Sequence, residues 1–74
     1  MSDLLAQAGA ALYGPRWQSE MARDLGINPR TVRRWASGKS AFPFWARYKI
    51  RDMLDERIFE CVWLCNRIIP PELD

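Results

Sequence analysis

Arg30, Arg33 and Arg34 fall within five residues, interleaved with Val32 and followed by Trp35 and Ala36. On a helical wheel of about 100° per residue, the three arginines and Ser37 share one face, and Val32, Trp35 and Ala36 take the other. No acid stands between Asp24 and Asp52 to neutralise them. Guanidinium forks presented this way can give paired hydrogen bonds to phosphate oxygens or to the edge of a base. The chemistry implied is polyanion recognition.

Little else in the chain can do chemistry. There is no histidine among the 74 residues, which excludes histidine triads, histidine proton relays and histidine metal ligands. Cys61 and Cys65 are the only thiols. One helical turn apart, they would form a strained disulfide, and two thiols alone make an incomplete zinc site. They are expected to be small buried apolar residues. With no base partner for a thiol and no phosphate loop, no enzyme, metal or cofactor is expected.

Charge is segregated along the chain. The formal net charge of +2 combines −1 over residues 1–15, from Asp3, with a local +7 over residues 16–51 and a local −4 over residues 52–74. A basic middle fits a polyanion surface, and the acids Asp52, Asp55, Glu56 and Glu60 would keep the C-terminal end away from one.

The arginine face needs elements to hold it. Turn signals divide the sequence into four helical stretches with no period-2 strand. The first runs from about Asp3 to Tyr13, capped by Ser2 or Asp3, with Leu4, Leu5, Ala8, Ala11 and Leu12 on one face; Gly14-Pro15 stops it. The second, Trp17 to Leu25, turns Trp17, Met21 and Leu25 inward and ends at Gly26. The third, Pro29 to Ser37, has Asn28 as N-cap, proline at its first position and Gly38 as its close.

The last helix is predicted from Phe44 to Ile69, before Pro70-Pro71. At 1.5 Å per residue it would span about 39 Å, against a radius of gyration of about 11 Å for a compact chain of this length. Either it breaks near Asp52–Glu56, making a fifth helix, or one end projects toward a partner. It is apolar over most of its circumference. Ile50, Met53, Leu54, Ile58, Cys61, Leu64, Cys65, Ile68 and Ile69 form a broad aliphatic face, and Trp45, Tyr48, Phe59 and Trp63 form an aromatic stripe. One face is expected to cover the preceding helices and the rest to meet a second subunit, with Tyr48, Phe59, Val62 and Trp63 as candidate dimer contacts. The fold class expected is all-α: one compact domain over residues 1–74, with a long C-terminal helix over 44–69.

Within Gln18–Gly38, Ala22, Gly26, Val32 and Trp35 have the spacing of a small residue, a turn glycine, a β-branched residue and a bulky apolar one. This pattern resembles the helix-turn-helix of phage repressor and Cro-type DNA-binding proteins. It places the motif at residues 17–38 of a compact helical domain. The resemblance implies that the third helix lies in the major groove. Arg30, Arg33 and Arg34 would read base edges, arginine being matched to guanine O6 and N7. Thr31 would touch a thymine methyl or a phosphate. Gln18, Arg16, Ser37, Lys39 and Ser40 would hold the DNA backbone. Pro29 departs from the pattern, since it stands where the family often has a base-contacting polar side chain.

The function expected is a sequence-specific, double-stranded-DNA-binding transcriptional regulator, a repressor by preference, acting as a homodimer on an inverted-repeat operator. The alternative is a protein-interaction module or antitoxin-like accessory protein that uses the aromatic stripe for a second protein. No signal-peptide pattern and no apolar run of about 20 residues is present, so a cytoplasmic protein with no membrane partner is expected.

Overall fold

The computed structural model describes residues 2–69, with the side chains of Ser2 and Asp3 left aside. Four helices, and no strand among the described residues, make up the chain: α1 (Ser2–Tyr13), α2 (Trp17–Leu25), α3 (Pro29–Ser37) and α4 (Phe44–Ile68). The expected bounds of the second and third helices match, α1 begins one residue earlier, and α4 ends one residue earlier. The N-cap expected at Ser2 or Asp3 and the proline stop at residues 70–71 lie outside the described side chains and residues.

Each short helix ends where the chain can turn left-handed. Gly26 has φ 72° and Gly38 has φ 80°, a region that costs a residue with a Cβ considerably more. After α2, the Ile27 N–H reaches back to the Ala22 carbonyl at 3.0 Å, satisfying a group the helix leaves unpaired. Ile27 then packs against the core. Asn28 starts α3 as expected: its side-chain oxygen accepts from the Arg30 N–H at 2.8 Å.

The core is Leu5 and Leu12 of α1, Trp17, Met21, Ala22 and Leu25 of α2, Val32 and Trp35 of α3, and Ala46 and Ile50 of α4. No polar or charged residue is buried with them among the described residues. Ala22 is fully buried, and a larger side chain there would push the short helices apart. Gly9 fixes a second close approach. A Cβ on it would lie inside the indole of Trp17, so α1 and α2 can meet only around a residue without a side chain. At the far edge, the Tyr13 hydroxyl donates to Asp24 Oδ2 at 2.7 Å and lies 3.5 Å from the Met53 sulfur, joining three helices. Desolvation, reinforced by that hydrogen bond to Asp24, pushes the Tyr13 phenol up to about 12.

α4 takes the second of the two courses expected for it: it is one unbroken helix of 25 residues with a projecting end, and there is no fifth helix at Asp52–Glu56. Its first three turns pack on the core through Ala46 and Ile50, with Met53 and Leu54 half-buried; from Asp55 to Ile69 every residue is exposed. The aliphatic face beyond Leu54 therefore covers nothing, and Cys61 and Cys65 are exposed rather than buried. With nothing packed beside them, periodicity alone could not bury them. The arm stretches the protein to 51 × 22 × 21 Å and its radius of gyration to 15.0 Å, beyond the compact value of about 11 Å.

Candidate nucleic-acid interface

Trp35 decides which way α3 faces. Its indole is buried, tilted against Phe42 at 5.5 Å and edge-on to Trp45 at 6.0 Å. These contacts fix the back of α3 to the connection and to the start of α4. Val32, fully buried, fixes the same side one turn earlier. Trp17 and Trp35 are thus core residues, as their wheel positions predicted.

With that side held inward, Arg30, Arg33 and Arg34 are exposed on the other. They line a shallow depression of about 330 Å³ together with Ser37 and Lys39. Four cations and a hydroxyl share one concavity. Among the described residues, the ion pairs are those of Arg23 with Glu20 and with Asp24, and no acid neutralises the depression. Like charges held together without a counter-charge raise the local potential and attract an anionic ligand.

Local hydrogen bonds shape the rim. The Lys39 and Ser40 N–H groups both return to the Arg34 carbonyl, at 2.9 and 3.2 Å, folding the chain sharply back beyond Gly38. Ser40 Oγ accepts from Arg34 Nε at 3.1 Å, which tethers that exposed guanidinium at its base. Arg34 is therefore pre-oriented, and it would lose less rotamer freedom on binding than an untethered arginine. The Ser37 hydroxyl donates to the Arg34 carbonyl at 3.2 Å, so it must rotate before it could donate to a phosphate.

The remaining sequence candidates are placed less closely. Thr31 is half-buried on α3 and is not among the residues lining the depression. Arg16, exposed, directly precedes α2, and Gln18, half-buried, sits in its first turn; both stand outside the depression. Tyr48, Phe59, Val62 and Trp63 are all exposed on α4.

One supporting residue escaped the sequence reading. Arg47 is half-buried, its Nε donates to the Phe42 carbonyl at 3.2 Å, and its guanidinium lies 4.7 Å from the centre of the Phe42 ring. It pins the connection between α3 and α4 at Phe42. The aromatic neighbours Phe42 and Phe44 were the available signal, since arginine stacks on such faces.

No helix is long and apolar enough to cross a membrane, and no group of metal-ligating side chains occurs among the described residues. In comparisons with protein-family models, curated proteins and solved structures, nothing matches this chain.

Proposed function

We propose that the protein is a sequence-specific double-stranded-DNA-binding transcriptional regulator. In this reading α2, the Gly26 turn and α3 form a helix-turn-helix, and α3 enters the major groove. The observation that carries it is the depression lined by Arg30, Arg33, Arg34, Ser37 and Lys39, four cations with no acid among them. A 9-residue helix with a buried indole behind and arginines in front has the dimensions to lie in a groove about 12 Å wide.

The roles divide by position. Arg30 and Arg33 lie nearer the start of α3 and read base edges, each fork giving two hydrogen bonds to a guanine. Arg34, tethered by Ser40, holds a defined direction. Lys39 and the α3–α4 turn meet the phosphate backbone, as Arg16 and Gln18 do at the start of α2. Backbone contacts supply affinity and salt dependence without sequence preference. Two such surfaces related by a two-fold axis would read an inverted repeat, and occupancy of the site by a small protein of this kind represses by excluding other proteins.

Selection from random duplex DNA at two salt concentrations tests this reading. An enriched inverted repeat, with half-sites about 34 Å apart, is expected. Equal retention of all duplexes, lost steeply with salt, would leave only a basic protein of another function. The exposed aromatics of α4 favour that second reading, a protein-interaction module, and it predicts this outcome.

A further inference from the structure

The segment Ile58–Ile68 reads IFECVWLCNRI, and apart from Phe59, whose counterpart is Arg67, its apolar residues are placed symmetrically about Trp63. Ile58 and Ile68, Cys61 and Cys65, and Val62 and Leu64 stand at equal distances on either side. At about 100° per residue these six share an arc of about 160°. Glu56, Glu60 and Arg67 point the opposite way; Arg57 lies near one edge of the arc and, toward the body, Arg51 near the other. Ile58, Cys61, Cys65 and Ile68 carry the alternating three- and four-residue spacing of a helix-pairing seam. The same arc holds Ile50 and Leu54, which pack against the core. The face that binds α4 to the body therefore continues, uncovered, along the arm.

We propose that residues 58–68 are the interface with a second copy of this chain, the two arms running antiparallel about a two-fold axis at the level of Trp63. In that arrangement Ile58 lies level with Ile68 of the second copy, and Cys61 with Cys65 of the second copy. A two-fold axis makes each contact occur twice, and a face symmetric about its own midpoint matches itself in size and character along its whole length.

Area fits the same occupant. The surface of 5766 Å² exceeds by about 1,000 Å² the roughly 4,700 Å² of a compact monomer of 8.7 kDa. A stable interface takes about 800 Å² from each partner. The aromatic stripe is the poorer seam, because the chain's own cations already stack on it: Arg67 lies 4.5 Å from the Trp63 ring centre and Arg51 lies 5.1 Å from that of Tyr48. Of the aromatic and Val62 contacts expected from sequence, this arrangement keeps Val62. Antiparallel arms also set the two bodies about 39 Å apart along the helix axis, on the scale of one DNA turn. The interface gives the regulator proposed above its two-fold symmetry and rests on that reading for its use, but its test needs no DNA.

Light scattering on the full chain at micromolar concentration is expected to give twice 8.7 kDa. Cys61→Ser and Cys65→Ser, oxidised separately with copper phenanthroline, are expected to cross-link at background level. Their 1:1 mixture, after exchange, is expected to link up to half of the chains, because only the mixed dimer sets Cys61 level with Cys65. Ile58→Glu is expected to give a monomer of unchanged helical content. A wild-type monomer, linking of either single variant as efficiently as the wild type, a dimer that links in no combination, or an Ile58→Glu dimer each overturns the arrangement. A monomer that still selects one DNA sequence removes the interface alone, and a cross-linked dimer that selects none removes the DNA reading alone.

Discussion

Met21 and Phe59 are both large apolar residues on helices; the first is completely buried and the second is 80% exposed. The contrast holds for whole regions. In the body, three short helices and the start of α4 surround one another, and each apolar face finds a partner. In the arm, the same helix carries comparable apolar residues past the last neighbouring element. Burial depends on what stands beside a face as much as on the face. Among the described residues no further element stands beside the arm, and a second copy of the chain is the partner proposed for it.

This contrast can be broken first at the body. Met21→Ala is expected to lower stability by about 2–5 kcal/mol, since it opens a cavity among residues that cannot all collapse into it. Urea unfolding at fixed chain concentration, followed by tryptophan fluorescence, measures it; a loss below about 1 kcal/mol would mean that the body is loosely packed. Gly9→Ala is expected to cost about 1–3 kcal/mol by driving a methyl group into Trp17. An unchanged midpoint would mean that α1 and α2 lie farther apart than described. Asn28→Ala removes the acceptor that starts α3 and is expected to cost about 1 kcal/mol. In the arm, Phe59→Ala is expected to change stability by no more than about 0.5 kcal/mol. A loss as large as that of Met21→Ala would show that the aromatic stripe is covered.

The body also carries a pH signature. The Tyr13 phenol titrates near 12 when folded, against 10.0 for its ordinary value. A pKa raised on folding means that the folded chain holds this proton more tightly. The contribution is fully present below pH 10 and is lost as pH rises from 10 toward 12. Tyr13→Phe is expected to flatten that part of the stability profile, and an identical profile in the variant would dissociate Tyr13 from Asp24.

The body was legible in the sequence because its signals are local. Gly26, Asn28, Pro29 and Gly38 each act on the backbone beside them, and the opposition of Arg30 to Val32 follows from helical period alone. Gly9 was not legible, because a glycine inside a helix reads as weak propensity until the Trp17 ring is placed against it. The tether from Arg34 to Ser40 was hidden for the same reason: it crosses the Gly38 turn, where no periodicity holds. The arm misled differently. Its periodicity correctly marked an apolar face, but the straight path of α4 through Asp52–Glu56 left that face in the open, with Cys61 and Cys65 on it.

The central claim is that the exposed side of α3 distinguishes one DNA sequence from another, while the turn beyond it holds any DNA. Affinities of the wild type, Arg33→Ala and Lys39→Ala for a selected duplex and for a scrambled one, at two salt concentrations, test it most directly. Arg33→Ala is expected to lose about 1–3 kcal/mol on the selected duplex and little on the scrambled one; Lys39→Ala is expected to weaken both alike and to reduce the salt slope by about one. Equal losses on the two duplexes for Arg33→Ala, or no loss for either variant, would contradict it.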